Sequence, residues 1–279
     1  MKIALIQMNS NKSRDENVNV ASNYIDQAAT EKPDLVVLPE FFNNLYFFQY
    51  RDYNYIDWAE REDGYTISRI KDRAKIHNLF IIATIYEEQA PGVYYDTAMV
   101  IDPQGSIVGK YRKTHPAAVR SLEKIYFRFG SKYPVFKIKD WKVGMVICYD
   151  TYFPESIRSV VLNGAELVVI PFASPYKEDN MRSHTVVTRA YENGVYVAAC
   201  NKVGPEGDWI FGGGSLIVSP FGKVLAEAGM SDDKIITAEI ERDLIYEARK
   251  SMPMLRDRRP DLYTAITAPT EDLPKDEAC

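Results

Sequence analysis

The sequence is poor in the residues that mark several common kinds of protein. Its 279 residues include only three cysteines and three histidines. The cysteines Cys148, Cys200 and Cys279 contain no Cys-x-x-Cys pair and are too few for a disulfide framework. The histidines, at positions 77, 115 and 184, show no metal-ligand spacing with each other or with a cysteine. We therefore expect neither a disulfide scaffold nor a metal site.

Long apolar runs and an excess of positive charge are also missing. No apolar stretch approaches the roughly 20 residues that span a bilayer. The net charge of −5 and the pI of about 5.4 argue against a nucleic acid or an anionic membrane as partner. The segment Met1–Gln7 is too short, and becomes polar too soon, for a signal peptide. With no export signal, the reducing cytoplasm is the expected location.

Two further catalytic or binding motifs are absent. The sequence contains no Gly-x-Ser-x-Gly elbow of a serine hydrolase. The run Gly212-Gly213-Gly214-Ser215 follows a loop and precedes a strand, whereas a phosphate-binding loop follows a strand and opens a helix. What remains is a globular composition, 46% hydrophobic and 26% charged, in a chain long enough to bury a large core.

An internal duplication organises the chain. Four segments recur in the same order, which chance rarely produces. The pairs are Lys2–Met8 with Lys142–Cys148, Asp34–Glu40 with Glu166–Phe172, Leu79–Ile85 with Val195–Cys200, and Ala98–Lys110 with Leu216–Ala228. The last pair carries the turns Asp102-Pro103-Gln104-Gly105 and Ser219-Pro220-Phe221-Gly222, which predict hairpins. The apolar runs do not alternate with polar residues, as expected for strands buried on both faces.

Helical patterns separate these strands and define the predicted fold. They cover Asn17–Ala29, Ser68–His77, Pro154–Leu162 and Arg182–Asn193. The order strand-helix-strand-helix-strand-hairpin therefore occurs twice, and two such halves can bury their bare sheet faces on each other. We predict an α/β fold, a duplicated four-layer α-β-β-α sandwich, forming one domain over residues 1–265. Residues 266–279 form a tail, and the charged, proline-rich sequence from about Glu247 is expected to lie outside the core.

Candidate catalytic residues stand at strand ends. Glu40 ends one buried strand, Lys113 follows the hairpin arm Ile107–Tyr111, and Cys148 follows the apolar run Val143–Ile147. Ligands of α/β sheets gather at such ends. A carboxylate that takes a thiol proton, a thiolate that attacks a carbonyl carbon and an ammonium that stabilises the oxyanion suffice for amide hydrolysis.

Each of these residues also has an ordinary structural interpretation. A cysteine at a strand end is usually a small core residue. A glutamate after Pro39 is usually solvated, and Lys113 stands in the basic run Lys110-Tyr111-Arg112-Lys113. Cys200 and Cys279 are predicted to be inert, and His115 to be structural rather than a base. Only the three residues together are specific, and spacing alone does not show that they meet.

Three segments that contain these residues resemble known motifs, and the resemblance favours the catalytic interpretation over the structural one. Leu38–Phe42, Gly109–His115 and Cys148–Glu155 resemble the three signature blocks of the carbon–nitrogen hydrolase (nitrilase) superfamily, and the likeness extends over roughly residues 1–265. The resemblance implies a nitrilase-type sandwich and a catalytic triad of Glu40, Lys113 and Cys148. A second glutamate that many members carry matches Glu123. The resemblance also implies a homodimer or higher homo-oligomer formed through the sheet-covering helices, with C-terminal arms that cross over.

The same resemblance narrows the expected reaction. Cys148-Tyr149-Asp150 is similar to the amidase and carbamoylase branches, and Leu122–Phe127 to N-carbamoyl-amino-acid and N-carbamoylputrescine hydrolases. The first hypothesis is a thiol amidohydrolase, free of metal and cofactor, that releases ammonia from a small N-carbamoyl amine or amino acid through a thioester-type intermediate. The second is an omega-amidase or aliphatic amidase. A nitrilase and a non-catalytic scaffold are the remaining alternatives.

Residues that would bind the substrate are less well defined. The Tyr149 N–H is predicted to help Lys113 stabilise the oxyanion. Arg120 is a candidate for gripping a substrate carboxylate or, alternatively, a solvated surface residue. If Arg120 points outward, acidic residues such as Asp150 or Glu178 could receive a substrate amine. The aromatic stretch Phe41–Trp58 is expected to wall the pocket, to pack as a loop and subunit contact, or both.

Overall fold

The computed structural model describes residues 1–118, 121–175 and 181–269. The strands are β1 (Lys2–Gln7), β2 (Leu35–Val37), β3 (Phe80–Ala90), β4 (Val93–Ile101), β5 (Ile107–Arg112), β6 (Val135–Ile138), β7 (Trp141–Met145), β8 (Leu167–Phe172), β9 (Tyr196–Asn201), β10 (Val203–Glu206), β11 (Trp209–Gly212), β12 (Leu216–Val218), β13 (Val224–Glu227) and β14 (Lys234–Glu239). The α-helices are α1 (Arg14–Ala29), α2 (Tyr65–His77), α3 (Glu123–Tyr126), α4 (Pro154–Leu162), α5 (Met181–Asn193), α6 (Arg242–Ser251) and α7 (Thr264–Thr267). Short 3-10 helices span Phe47–Gln49, Tyr53–Trp58, Cys148–Tyr152 and Pro260–Leu262.

Local sequence signals account for several of these boundaries. Ser13 caps α1 and forms a capping box with Glu16, so the helix begins before the predicted Asn17. Helix α2 ends at Asn78, which adopts the left-handed conformation at φ 52°. Pro154 occupies the first turn of α4, where its missing N–H leaves no helical hydrogen bond unmade.

Two six-stranded sheets carry the predicted duplication. Their strand orders are β14-β1-β2-β3-β4-β5 and β13-β12-β9-β8-β7-β6. In the first sheet β1, β2 and β3 run parallel and β4–β5 is an antiparallel hairpin. In the second sheet β7, β8 and β9 run parallel, and the hairpin β12–β13 follows them. The same path is therefore traced twice, as the sequence predicted.

Each half also gives one strand to the sheet of the other half. Strand β6 follows the first half in sequence but pairs antiparallel with β7 of the second. Strand β14 follows the second half but pairs antiparallel with β1 of the first, from Lys2 opposite Glu239 to Gln7 opposite Lys234. The sequence analysis missed both strands. The exchange joins the halves by backbone hydrogen bonds as well as by packing.

The core forms between the sheets and under the helices. Ile3, Leu5 and Val37 face the second sheet and cluster with buried side chains that include Val143 and Val168. The alternate residues of the same strands, such as Ala4, Ile6 and Val36, face α1 and α2 and cluster with Val18, Ile25, Ile67 and Ile70. Both faces of β1 and β2 are thus buried, which explains their continuous apolar sequences and confirms the four-layer sandwich.

The C-terminal region remains attached to the core further than expected. Helix α6 runs to Ser251, and its Ile245 and Ala248 are buried, so the region from Glu247 is not entirely outside the core. Beyond it, Leu262 and Ile266 are exposed. Within the described residues, no helix combines the length and apolarity needed to cross a bilayer.

Candidate active site

The three predicted catalytic residues follow three strand ends that converge. Glu40 lies three residues after β2, Lys113 directly after β5 and Cys148 three residues after β7. The Lys113 N–H donates to the Asp96 carbonyl at 2.9 Å, which continues the β4–β5 ladder to the lysine. The Glu40 N–H donates to the Phe172 carbonyl at 3.3 Å, so Glu40 is attached to the end of β8 in the opposite sheet.

A buried ion cluster surrounds Lys113. Its Nζ lies 2.7 Å from Glu40 Oε1 and 2.8 Å from Glu123 Oε2, and all three side chains are shielded from solvent. Burial acts to lower the pKa of Lys113, but the neighbouring Glu123 and Glu40 outweigh it and hold the pKa well above its usual range. Lys113 is therefore a permanently charged ammonium that can meet a developing negative charge.

Glu123 is held by partners on both carboxylate oxygens. Tyr46 donates its hydroxyl hydrogen bond to Oε1 at 2.7 Å, and the Ala117 N–H donates to Oε2 at 2.8 Å. Tyr46 Oη also lies 2.9 Å from Ser121 Oγ. Glu123 has little freedom to rotate away from Lys113, which fixes the ammonium in turn. Tyr46 comes from the aromatic stretch, whose direct contact with this glutamate the sequence analysis did not identify.

Cys148 opens the 3-10 helix Cys148–Tyr152 in a strained backbone conformation. Its φ is 44°, in the left-handed region that costs a non-glycine residue of the order of 1–3 kcal/mol. The thiol is half-buried. Burial and the adjacent Glu40 raise the pKa of Cys148 well above its ordinary value, against the opposing effect of Lys113. The resting thiol is thus protonated and needs a base before it can attack.

Asp150 connects the turn at Cys148 to the loop after Lys113. Its Oδ2 accepts from the Tyr111 hydroxyl at 2.6 Å and the Ile147 N–H at 3.0 Å, and its Oδ1 accepts from the Thr114 hydroxyl and the His115 N–H, both at 2.8 Å. Burial acts to raise the pKa of Asp150, but its hydrogen bonds from His115 and Tyr111 hold it below the usual value. These bonds fix the distance between the two catalytic loops.

This burial corrects one interpretation from the sequence. Asp150 is inaccessible to solvent and saturated with hydrogen bonds, so the suggestion that it receives a substrate amine is wrong. Glu178 and Arg120, and likewise Cys279, lie outside the described residues. His115 contacts Asp150 and stacks on Phe153 with ring centroids 3.9 Å apart, an arrangement that fits the predicted structural role.

Cys200 lies away from the ion cluster. It is buried in β9, where its thiol donates to the Ile6 carbonyl at 3.2 Å and contacts the Val37 carbonyl at 3.4 Å. Burial raises the pKa of the Cys200 thiol, so this second cysteine has the features of a packing residue. Among the described residues, no group of three His, Cys, Asp or Glu side chains is arranged to hold a metal ion.

The aromatic stretch packs mainly against itself and against the segment of Glu123. Phe41, Phe47 and Phe48 are fully buried. Phe41 stacks on Phe127 with centroids 5.7 Å apart, and Phe48 meets Tyr126 edge-on at 5.6 Å. The first part of the stretch is thus a packed wall behind the ion cluster, while its later residues Tyr53 and Trp58 are exposed.

A second buried ion pair supports the loop that follows Glu40. Lys202 Nζ lies 2.7 Å from Glu206 Oε2 and donates to the carbonyls of Phe41 at 3.1 Å and Asn44 at 2.9 Å. Phe41 itself has a positive φ of 50°. The ammonium therefore holds a strained turn directly beside Glu40. The sequence analysis missed this pair, although a lysine and a glutamate four residues apart beside a buried strand could have suggested it.

Arg182 is a cationic group near the cluster that has no anionic partner within the part of the chain that the structure describes. Its guanidinium is half-buried and lies 5.7 Å from the centre of the Phe172 ring. A side chain on Gly214 would approach its Nη2 to 2.8 Å, so the glycine leaves the space that the guanidinium fills. Burial lowers the pKa of Arg182, and charges on Tyr152 and Cys148 act in the opposite direction. No carboxylate of the described residues forms an ion pair with Arg182.

This fold and its buried Glu-Lys-Glu cluster can be compared with known proteins. The sequence model for carbon–nitrogen hydrolases matches residues 2–250. The chain belongs to the carbon–nitrogen hydrolase family. This finding confirms the resemblance of the three motif segments. The protein is an enzyme of the amidase type within that family.

Relatives of this carbon–nitrogen hydrolase carry more than one substrate name. An omega-amidase of Xenopus tropicalis is 32% identical over 94% of this chain and 96% of its own length. An N-carbamoylputrescine amidase of Arabidopsis thaliana is 31% identical over 90% and 89% of the two chains. Both relatives match this chain over nearly its whole length, but their names specify different substrates.

Solved structures agree with the fold. A carbon–nitrogen hydrolase from Helicobacter pylori superposes with a TM-score of 0.91 at 29% identity, covering 96% of this chain and 98% of the other. An amidase from Nesterenkonia, described with the acetamide moiety of fluoroacetamide added covalently at its active-site cysteine, superposes with a TM-score of 0.81 at 25% identity, covering 95% and 96%. That structure is of a variant of the Nesterenkonia amidase, and the covalent bond that it describes joins the amidase's own active-site cysteine to the acetamide moiety.

Proposed function

We propose that this carbon–nitrogen hydrolase cleaves small, non-peptide amide or ureido bonds and releases ammonia, with Cys148 as nucleophile and Glu40 as base. The observation that supports this most strongly is the solvent-shielded cluster in which Lys113 contacts both Glu40 and Glu123 beside the Cys148 thiol. A carboxylate, an ammonium and a thiol in one protected site provide the proton transfer, the charge stabilisation and the nucleophile that the reaction needs.

In the first half of the proposed reaction, Glu40 takes the thiol proton and Cys148 Sγ bonds to the carbonyl carbon. The raised pKa of Cys148 supports this order, because a neutral thiol requires a base at the moment of attack. Lys113 Nζ and the Tyr149 N–H then stabilise the negatively charged oxygen. Glu40 returns the proton to the leaving nitrogen, so ammonia departs and an acyl or carbamoyl group remains on sulfur.

In the second half, Glu40 takes a proton from water, the water oxygen bonds to the carbonyl carbon, and the bond to sulfur breaks. The thiolate regains its proton as the acid or carbamate product leaves. Glu123 holds Lys113 in place through both halves and orients the leaving group. The aromatic wall at Phe41 and Phe127 limits the access of bulk water from behind the cluster.

Two substrate classes fit this chemistry. The first is an N-carbamoyl amine or amino acid, supported by the resemblance of Leu122–Phe127 and by the N-carbamoylputrescine amidase relative. The second is an omega-amide, supported by the omega-amidase relative and by a 2-oxoglutaramate amidase of Bacillus subtilis at 34% identity. Both place a carbon–nitrogen bond to a terminal NH₂ group beside Cys148 and differ in the rest of the molecule.

Arg182 favours the members of either class that carry a carboxylate. A half-buried guanidinium that forms no ion pair with a carboxylate of the described residues, in electrostatic range of Cys148, is suited to a bidentate contact with a substrate carboxylate. It would repel the amine of N-carbamoylputrescine. Arg120 remains a second candidate for the same contact on sequence grounds alone.

A substrate comparison tests this proposal. We expect Arg182→Ala to lower kcat/KM for N-carbamoyl-β-alanine by roughly a hundredfold, since a buried charged contact is worth about 1.5–3 kcal/mol, and to leave N-carbamoylputrescine turnover unchanged or improved. Released ammonia is measured for both substrates and for a neutral ω-amide, with Arg120→Ala as the matched variant. An equal loss on acid and amine would contradict a carboxylate contact at Arg182, and acid-specific loss in Arg120→Ala alone would move it to Arg120.

The remaining proposals concern the setting of the enzyme. We place it in the cytoplasm, because a catalytic thiol is preserved in a reducing compartment and Cys148 and Cys200 are both free. We also propose a homodimer formed through the helices that cover the second sheet. Leu162 of α4, Tyr191 of α5 and Tyr246 of α6 are exposed apolar residues on those helices.

A further inference from the structure

A third carboxyl group belongs to the Lys113 cluster and has no assigned role. Asp96 lies in β4, and its side chain is inaccessible to solvent. Its Oδ2 is 3.4 Å from Lys113 Nζ, further than the glutamate oxygens at 2.7 Å and 2.8 Å. Neither Asp96 oxygen has a hydrogen-bond partner among the described residues, and the same is true of Glu40 Oε2. Three buried acceptor atoms are therefore left without donors if every carboxyl is ionised.

A proton held between the Asp96 and Glu40 carboxyl groups would supply the donor that these oxygens lack. The Asp96 and Glu40 carboxyls both lie against the Lys113 ammonium, at 3.4 Å and 2.7 Å, but two carboxylates cannot donate to each other. Ionised carboxylates this close in a buried site repel strongly, so one of them keeps its proton. A single proton supplies a donor for one Asp96 oxygen and a partner for Glu40 Oε2, and thus removes two unsatisfied buried atoms.

The charge balance of the site selects Asp96 as the proton carrier. The Lys113 ammonium faces three carboxyl groups, and only those of Glu40 and Glu123 lie within hydrogen-bonding distance of it. Burial raises the pKa of Asp96 well above its usual value, and the adjacent Glu40 adds to the effect while Lys113 opposes it. The titratable groups around Asp96 are Glu40 and Lys113 in contact and Glu123 beyond them, with Cys148 and Tyr46 in the same cluster.

We propose that Asp96 is a neutral carboxylic acid that donates a hydrogen bond to Glu40 Oε2 and so fixes the orientation of the catalytic base. The inference rests on the proposed role of Glu40. Asp96 is a positioning residue, because it acts through Glu40 rather than on the substrate. Since a carboxylate has about four lone-pair sites, Glu40 can accept from Lys113 and Asp96 and still take the proton of Cys148.

The amide of asparagine provides the sharpest test, because it has the shape of a neutral aspartic acid and also a donor. We expect Asp96→Asn to keep kcat within about threefold and to leave the pH profile of kcat/KM unchanged. Asp96→Ala removes the donor and should lower kcat by roughly thirtyfold or more with little change in KM. If Asp96 were ionised, Asp96→Asn would instead remove a negative charge. This would lower the pKa of Cys148 and move the pH profile of kcat/KM to lower pH.

Infrared spectroscopy of the resting enzyme gives a readout that does not depend on turnover. A carbonyl stretch of a protonated carboxylic acid should be present at pH 7 in wild type, absent from Asp96→Asn and retained in Glu123→Gln. Absence of the band in wild type, or its loss only in Glu123→Gln, would overturn the inference, as would full activity of Asp96→Ala or a shifted Asp96→Asn profile. If Cys148→Ala still turns over substrate while the band behaves as expected, the proposed function fails and the neutral Asp96 stands.

Discussion

At the scale of single residues, the groups that are proposed to react are held in place by their neighbours. Lys113 is held between two glutamates, Glu123 by Tyr46, and Cys148 by a turn with a positive φ. Such a site needs little rearrangement during the reaction, because its charges are already oriented before the substrate arrives.

The protonation state of Cys148 leads to a prediction about its chemical reactivity. Because burial and Glu40 raise the pKa of Cys148, the thiolate fraction should still increase with pH above the ordinary range of a thiol, near pH 8.5. We expect the rate of alkylation by iodoacetamide, followed by mass spectrometry of the Cys148 peptide, to rise throughout the range from pH 6 to pH 9. Buried Cys200 is the internal control and should stay unlabelled in the native protein. A plateau below pH 7 would instead indicate a preformed thiolate beside Lys113.

The sequence could predict the proposed catalytic residues but not the residues proposed to orient the base and the substrate. Glu40, Lys113, Glu123 and Cys148 stand in recognisable motifs. Asp96 lies within a strand without any motif, and its only signal is an acidic residue in an otherwise apolar run that ends β4. Arg182 depends on the space left by Gly214, which is distant in sequence. Contacts of this kind come from the packing of remote segments, so spacing along the chain does not reveal them.

At the scale of secondary-structure elements, the close approach of α4 to β7 positions Cys148. A side chain on Gly144 would overlap Val160 Cγ1 and lie 3.2 Å from Ala165 Cβ. The glycine therefore lets the helix that follows the catalytic turn rest directly on the strand that precedes it. The position of Cys148 between these two elements depends on that short distance.

Substitution of this glycine should lower the stability of the fold. We expect Gly144→Ala to lower the free energy of unfolding by about 1–3 kcal/mol, since overpacking a tight core forces a shift of the helix or strand. Urea denaturation measures the effect, and Val160→Ala in the same chain should restore part of it. Gly229→Ala is the control, because an added Cβ there meets no atom within 4 Å. Equal stability of the two alanine variants would show that α4 tolerates displacement from β7.

The elements themselves were predictable in proportion to their burial. The helices α1, α2, α4 and α5 and the strands with continuous apolar sequences were identified, and the duplication gave their order. The helices α3, α6 and α7 were not predicted, and the sequence analysis interpreted the segment of the β10–β11 hairpin as a loop. Strands β6 and β14 were missed because they carry exposed lysines, Lys137 and Lys234, and their sequences have no strong periodicity. They exist because each finds an open sheet edge on the other half, a tertiary effect that local sequence does not encode.

At the scale of the whole molecule, the two halves share their edge strands and the proposed active site. Glu40 and Lys113 belong to the first half and Cys148 to the second, so neither half alone contains the proposed machinery. The exchange of β6 and β14 and the hydrogen bond from Glu40 to Phe172 keep the halves in register.

The exposed apolar residues of α4, α5 and α6 predict self-association. Tyr246 is 74% exposed, although an aromatic side chain of this size gains from burial at an interface. We expect sedimentation velocity to show a dimer for wild type and a shift toward monomer for Tyr246→Glu. Ile76→Glu, an exposed apolar position on α2 over the other sheet, is the matched control and should remain dimeric. A wild-type monomer, or a dimer that persists in Tyr246→Glu and dissociates in Ile76→Glu, would contradict this surface.

The most direct test of the account is the identification of the covalent intermediate. A reaction of the wild-type enzyme with a substrate that yields ammonia is quenched rapidly, digested and analysed by mass spectrometry. The account predicts one acyl or carbamoyl adduct on the peptide that contains Cys148, and no turnover in a folded Cys148→Ala variant. An adduct on Cys200, or appreciable ammonia release by the alanine variant, would contradict the assignment of Cys148 as the nucleophile.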